Sequence, residues 1–128
     1  MDKKLVKAIS STSKTALITL YAHSIESQSS KPIIHDPEAV VMSDALRESL
    51  GQSSDHLLMK LAADKLDPQL RYHITIRASK YDRYTAEFVE KNPGGTVINI
   101  GCGLDTRYQR LEVKPKLFLD VDLPAMMM

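Results

Sequence analysis

Along most of the chain the apolar positions recur at three- and four-residue spacing, the signature of amphipathic helices. Ala16, Leu17, Leu20, Tyr21 and Ile25 share one face, and Ser13 stands where it can cap that first helix. The polar, serine-rich residues 24–30 read as a helix end running into a loop. Asp36-Pro37 marks a second start, because the aspartate can accept backbone N–H bonds and proline loses nothing at the first helical position. Val40, Val41, Ala45 and Leu46 follow, and Gly51 suits a C-terminal stop. Asp55 starts a third helix through Leu57, Leu58, Leu61 and Ala62. A fourth helical region runs from about Asp67-Pro68 to about Lys91, with Ile74, Ala78, Tyr81, Thr85 and Phe88 in register. Inside it Ile74-Thr75-Ile76 is locally strand-like and leaves room for a break. Asn92-Pro93-Gly94-Gly95 stops any helix.

The pattern then changes. Thr96-Val97-Ile98-Asn99-Ile100 is short, apolar and β-branched, as a buried parallel strand is. Gly101-Cys102-Gly103 follows at once, residues 106–111 suit a short helix, and Leu117-Phe118-Leu119-Asp120-Val121 reads as a second strand. Helices followed by strand, glycine turn, helix and strand form the opening unit of an open α/β sheet. This divides the chain into a helical segment, residues 1–92, and the start of a sheet, residues 93–128.

Composition changes the picture only by exclusion. The 128 residues are 43% hydrophobic and 26% charged, which suits a folded globular chain. A formal net charge of +1 gives no electrostatic reason to expect a nucleic acid or membrane partner. The single cysteine, Cys102, rules out an internal disulfide and a four-cysteine zinc site. Residues 1–10 carry lysines but no long apolar stretch, unlike a signal peptide, and a cytoplasmic location is the expectation.

The glycine turn carries the chemistry. Glycine at 101 and 103 lets the backbone turn sharply at the carboxyl end of a strand and lets a ligand approach closely. An acidic residue about 20 positions later completes a nucleotide-binding arrangement, and Asp122 stands there, after the second strand. Its carboxylate suits both ribose hydroxyls; a tight turn that binds nothing is the bland alternative. Thr106 occupies the third glycine position of the dinucleotide fingerprint, which weakens an NAD reading. The phosphate loop of nucleoside triphosphatases is absent. A two-glycine turn without a pyrophosphate requirement better suits S-adenosyl-L-methionine.

These residues lie in segments that resemble the leucine carboxyl methyltransferase family. Asn99-Ile100-Gly101-Cys102-Gly103-Leu104-Asp105-Thr106-Arg107 resembles its N-L-G-A-G-L-D-T-R segment, and Leu119-Asp120-Val121-Asp122-Leu123-Pro124 its F-E-V-D-L-P. Thr15-Ala16-Leu17-Ile18-Thr19-Leu20-Tyr21-Ala22 resembles its T-A-L-x-T-L-Y-A helix. His35-Asp36-Pro37 is similar to its D-D-P, and Arg77 with Tyr81-Asp82 to its R-x-x-x-[YF]-D helix. The resemblance covers residues 15–124 and looks closest to the bacterial branch that includes polyketide O-methyltransferases. Cys102 replaces the usual alanine, Asp120 the usual glutamate, and Asn99 stands where many methyltransferases have an acid.

The resemblance implies an S-adenosyl-L-methionine-dependent O-methyltransferase acting on a carboxylate or hydroxyl oxygen of a small molecule. It implies the first β-α-β unit of a Rossmann-like class I methyltransferase fold, truncated, since the family sheet has seven strands. Arg77 would pair with the methionine carboxylate, Gly101 and Gly103 would pass under the methionine part, and Asp122 would bind the ribose. Asp105 would hold the loop or reach the amino group, or simply cap the helix at Thr106; Asp120 competes for the ribose. No general base is identifiable and no metal is expected. A non-catalytic cofactor-binding remnant, or half of a split protein acting with a partner chain, is the alternative, and an exposed sheet edge invites association. His23, His35, His56 and His73 have no metal-ligand spacing and read as surface or satisfied histidines. Tyr72, Tyr81 and Tyr84 read as helix-packing residues.

Overall fold

The structure, a computed structural model, describes residues 11–127. The lysine-bearing residues 1–10 and the terminal Met128 lie outside the described residues. Four helices come first: α1 (Ser11–Ser27), α2 (Pro37–Gly51), α3 (His56–Ala62) and α4 (Pro68–Lys91). Then follow β1 (Thr96–Ile100), the one-turn α5 (Arg107–Arg110), β2 (Leu117–Val121) and the short α6 (Pro124–Met127). The chain is thus α/β, helices followed by a small parallel sheet. Among the described residues no helix is long and apolar enough to cross a membrane.

Local chemistry explains the helix starts. Asp36, Asp55 and Asp67 each sit at the N-cap of a helix and accept backbone N–H bonds from its first turn. Pro37 and Pro68 follow two of them, where a missing N–H costs nothing. Ser13 lies inside α1 rather than at its cap, and its hydroxyl meets Met126 Sδ at 3.3 Å. The strand-like Ile74-Thr75-Ile76 does not break α4: Thr75 is buried and its hydroxyl donates to the carbonyl of Arg71 at 2.9 Å, so the β-branched residue sits satisfied within the helix. Gly51 is the last residue of α2, without a left-handed conformation.

The core joins α1, α2 and α3 through Leu17, Leu20, Tyr21, Ala39, Leu50, Leu58 and Leu61. α1 packs on α2 and α4, and α2 on α3. The aliphatic residues that mark α2 face inward only in part: Leu46 packs against the core. Val41 and Ala45 are exposed, while Ala39, Ser43 and Leu50 are buried. Ser43 is tolerated there because its hydroxyl donates to the Val40 carbonyl and pairs with Ser24 at 2.7 Å. The Tyr21 hydroxyl donates to the Ser43 carbonyl at 2.8 Å, and burial pushes its phenol up to about 12.

β1 and β2 pair in parallel, Thr96 beside Leu117 through Ile100 beside Val121. β1 differs from the expected buried strand: Ile98 and Ile100 are 55% and 81% exposed. The sheet has two strands among the described residues, and no layer covers the face that carries these side chains. Leu104, in the loop after β1, packs against the helical core, and a polar network centred on Asp36 adds to this attachment. This buried carboxylate accepts from Ala39 N, from Thr106 Oγ1 at 2.7 Å and from Arg110 Nη1 at 3.2 Å, and pairs with His23 Nδ1 at 2.9 Å. Asp82 on α4 adds a second tie, to Arg107 Nε at 2.9 Å and to Arg110 Nε and Nη2, both at 2.8 Å.

Two stability predictions follow from this packing. Tyr21→Phe removes the hydroxyl's bond to the Ser43 carbonyl and should destabilise the protein by about 0.5–1.5 kcal/mol, measured by urea unfolding. Burial of Asp36 opposes its ionisation, but bonds from His23, Thr106 and Ala39 and the charge of Arg110 outweigh it and hold the carboxyl at about 2, below its ordinary 3.8. A carboxyl depressed on folding contributes stability that is complete above the unfolded value and is lost as pH falls from there toward the folded one. Between about pH 5 and about pH 2, wild type should therefore lose ~2 kcal/mol more unfolding free energy than Asp36→Asn. Equal losses in the two proteins would remove Asp36 from the account.

Candidate functional site

The glycine turn closes β1 against the end of β2. Gly101 N and Cys102 N both donate to the Val121 carbonyl, at 2.7 and 3.2 Å, and Asp105 N donates to the Cys102 carbonyl at 2.8 Å. Gly101 and Gly103 have φ of 66° and 53°, in the left-handed region that an L side chain rarely adopts. A Cβ on Gly101 would meet nothing within 4 Å, so this residue is required for its conformation and leaves open space above it. A Cβ on Gly103 would come within 3.2 Å of Ala16 Cβ, so the turn also lies close against α1.

Asp122 follows β2 directly and holds the turn. Its Oδ2 accepts from Gly103 N and its Oδ1 from Leu123 N, both at 2.6 Å. An ionised carboxylate has about four lone-pair sites, so capacity remains for hydroxyl donors. Asp105 is a loop-holding residue: it accepts from Asn99 Nδ2 at 3.0 Å and pairs with Arg107 and Arg110 at 3.0 and 3.2 Å. It does not cap α5, whose N-cap is Thr106 without a side-chain capping bond. Asn99 also donates to Asp120 at 3.2 Å, which ties that carboxylate to β1. Cys102 is buried, and burial together with the charges of Asp120, Asp122 and Asp105 raises its thiol, the opposite of an activated nucleophile.

The turn opens onto a cavity of about 670 Å³ between α1, α4 and the end of the sheet. This is within the range of small-molecule sites. Gly101, Gly103, Asp105, Asp122 and Arg77 all line it, so the residues singled out by sequence converge on one space. Arg77 projects from α4 with its side chain exposed and pairs with no carboxylate among the described residues. Arg110, by contrast, is enclosed by Asp82, Asp105 and Asp36. Burial works against its charge, yet these carboxylates hold the guanidinium above its ordinary value. A free cation at one wall and a carboxylate beside an open glycine turn suit a ligand that carries an anionic group and a ribose.

Three residue groups differ from expectation. His35, His56 and His73 are exposed, but His23 is neither a surface nor a satisfied histidine. It is buried in the cavity wall, and its Nε2 finds no hydrogen-bond partner among the described residues. Tyr72, Tyr81 and Tyr84 are exposed rather than packed, and Tyr81 lines the cavity. The buried residues of α4 are Ile74, Thr75, Ala78 and Val89, and Ile74 and Ala78 line the cavity beside Tyr81. Thr15, Thr19 and His23 line the cavity too and were legible as a polar stripe at four-residue spacing along α1.

Among chains of known sequence, the family model for leucine carboxyl methyltransferase matches residues 16–128. The chain is 29% identical, over 87% of its length, to the tetracenomycin polyketide synthesis O-methyltransferase TcmP of Streptomyces glaucescens. It is 27% identical, over 95% of its length, to the S-adenosyl-L-methionine-dependent methyltransferase dpfgK of Gibberella zeae. It spans 37% and 40% of those two proteins. No solved structure matches. Family and relatives together imply S-adenosyl-L-methionine as the cofactor. The glycine turn, the cavity it opens on and the match across residues 16–128 agree: this chain belongs to the leucine carboxyl methyltransferase family.

Proposed function

We propose that this chain supplies the cofactor-holding part of an S-adenosyl-L-methionine-dependent O-methyltransferase, with the first β-α-β unit of a Rossmann-like fold, that acts on a carboxylate or hydroxyl oxygen of a small molecule. The observation that carries the reading is the turn itself: two glycines with positive φ, held by Asp122, facing a cavity also lined by Arg77, which pairs with no carboxylate among the described residues. The relatives' names, a polyketide O-methyltransferase among them, support the substrate class.

Each residue has a physical role in this reading. Gly101 leaves room for the methionine part to cross the turn without a Cβ in its path. Arg77 offers a guanidinium fork to the methionine carboxylate. Asp122 accepts from the ribose hydroxyls while its backbone bonds fix its position. Asp105 stays with Asn99, Arg107 and Arg110 and keeps the loop in shape. The bound cofactor supplies an electrophilic methyl group on a sulfonium. The protein's contribution is chiefly to align an acceptor oxygen with it, an effect that supplies ~7–11 kcal/mol in well-oriented systems.

A second reading has one observation in its favour. The sheet face bearing Ile98 and Ile100 is open, and parallel sheets are normally covered on both faces. The chain would then act with a partner chain, or as a binding module without turnover.

Calorimetry tests the cofactor assignment. S-adenosylhomocysteine should bind and NAD should not; NAD binding without an adenosylhomocysteine signal would sink it. Asp122→Ala and Arg77→Ala should each weaken adenosylhomocysteine binding by about 1.5–3 kcal/mol, the cost of losing a hydrogen bond to a charged group. Affinities equal to wild type in folded variants would show the residue roles to be wrong. The 128-residue chain alone should associate on size exclusion and release no adenosylhomocysteine with small acceptors. A clean monomer that turns over a carboxylate or hydroxyl substrate would refute this.

A further inference from the structure

An aromatic ring has a negative face that attracts cations, and this chain uses it repeatedly. Arg47 stands 5.7 Å from the centre of the Tyr21 ring and Arg71 4.9 Å from that of Tyr72. Lys80 stands 5.9 Å from Tyr84 and Lys114 4.6 Å from Tyr108. The chain has five tyrosines, and the fifth, Tyr81, has no basic group over its ring among the described residues. It is also the tyrosine that lines the cavity, 55% exposed, and no phenylalanine lines it. Tyr84 meets it edge to face, with centres 6.3 Å apart and planes at 81°, a contact that occupies at most one face of Tyr81. The carboxylates in the cavity wall are committed elsewhere. Asp36 holds His23, Thr106 and Arg110, and Asp105 holds Asn99, Arg107 and Arg110. Asp122 holds the turn and, in the reading above, the ribose.

We propose that the open face of the Tyr81 ring receives the sulfonium of S-adenosyl-L-methionine and raises the preference of the site for the charged cofactor relative to the neutral thioether product; this rests on the methyltransferase reading. Arg77 and Tyr81 are four residues apart on α4, and side chains at that spacing are neighbours on one helix face. A methionine carboxylate paired with Arg77 neutralises it and has its sulfur three carbons away, within reach of the side chain one turn along. A ring face suits that charge better than a carboxylate would, because a carboxylate beside a sulfonium is itself a nucleophile open to methylation. Once the methyl group has gone, the thioether carries no charge and the attraction goes with it. The charge already fades in the transition state, so the ring favours the bound cofactor rather than the transfer step. Tyr81 is in this sense a specificity-determining residue, and it acts alike whether the acceptor oxygen belongs to a carboxylate or a hydroxyl.

Calorimetry on the 128-residue chain measures the ratio of its affinities for S-adenosylmethionine and S-adenosylhomocysteine. Tyr81→Leu should lower that ratio by about 5- to 30-fold, through the sulfonium affinity alone, as expected for a cation on a partly desolvated ring. Tyr81→Phe should keep the ratio, because it keeps the ring. Pentafluorophenylalanine at position 81 preserves the ring's shape and reverses the sign of its face, so it should lower the ratio as leucine does. A ratio unchanged in the leucine or the fluorinated variant, a ratio lost in Tyr81→Phe, or equal losses for both compounds would each overturn the assignment. If wild type binds neither compound, the cofactor reading falls and this inference with it. If wild type binds both and the ratio ignores residue 81, the inference alone falls.

Discussion

The fold depends on one buried carboxylate. Asp36 begins α2 as its N-cap, and the same two oxygens hold α1 through His23 and the loop after the glycine turn through Thr106 and Arg110. A buried charge of this kind is costly unless its lone pairs are filled, and here hydrogen bonds and a guanidinium fill them. Removing one member of such a network leaves the others uncompensated, which is why these contacts act together. Apolar packing joins α1, α2 and α3 and takes in Leu104 from the loop after β1, while Asp36 and Asp82 tie α5 to the helices through hydrogen bonds.

The same network shapes the cavity. Arg107 and Arg110 are drawn into carboxylates, whereas Arg77, which also lines the cavity, pairs with none among the described residues. Asp105 is spent on the loop, so Asp122 is the carboxylate that stands at the turn with capacity to spare. The division between structural and ligand-facing charges therefore follows from which groups are already paired.

Much of the local structure was legible in the sequence. The caps at Asp36, Asp55 and Asp67 have a stereochemical cause within a few residues; β1 falls where a β-branched run meets the glycines, and β2 on the apolar run Leu117–Val121. The residues proposed to hold the cofactor were legible because a glycine turn and an acid about 20 positions on are one local motif. Burial was less legible. Val41 is aliphatic yet exposed, and Ser43 and Thr75 are polar yet buried, because partners elsewhere in the chain or one helical turn back satisfy their hydroxyls.

Sequence by itself determined the order of elements, the turn and the family, since these depend on propensity, spacing and motif. Tertiary structure decided which charges are paired among the described residues and which histidine is buried. His23 looked like any helix histidine. Only the approach of Asp36, from thirteen residues further along the chain, fixes its ring, and only the packing around α1 encloses Nε2. Pairing across distant segments is set by how helices come together, and no local pattern records it.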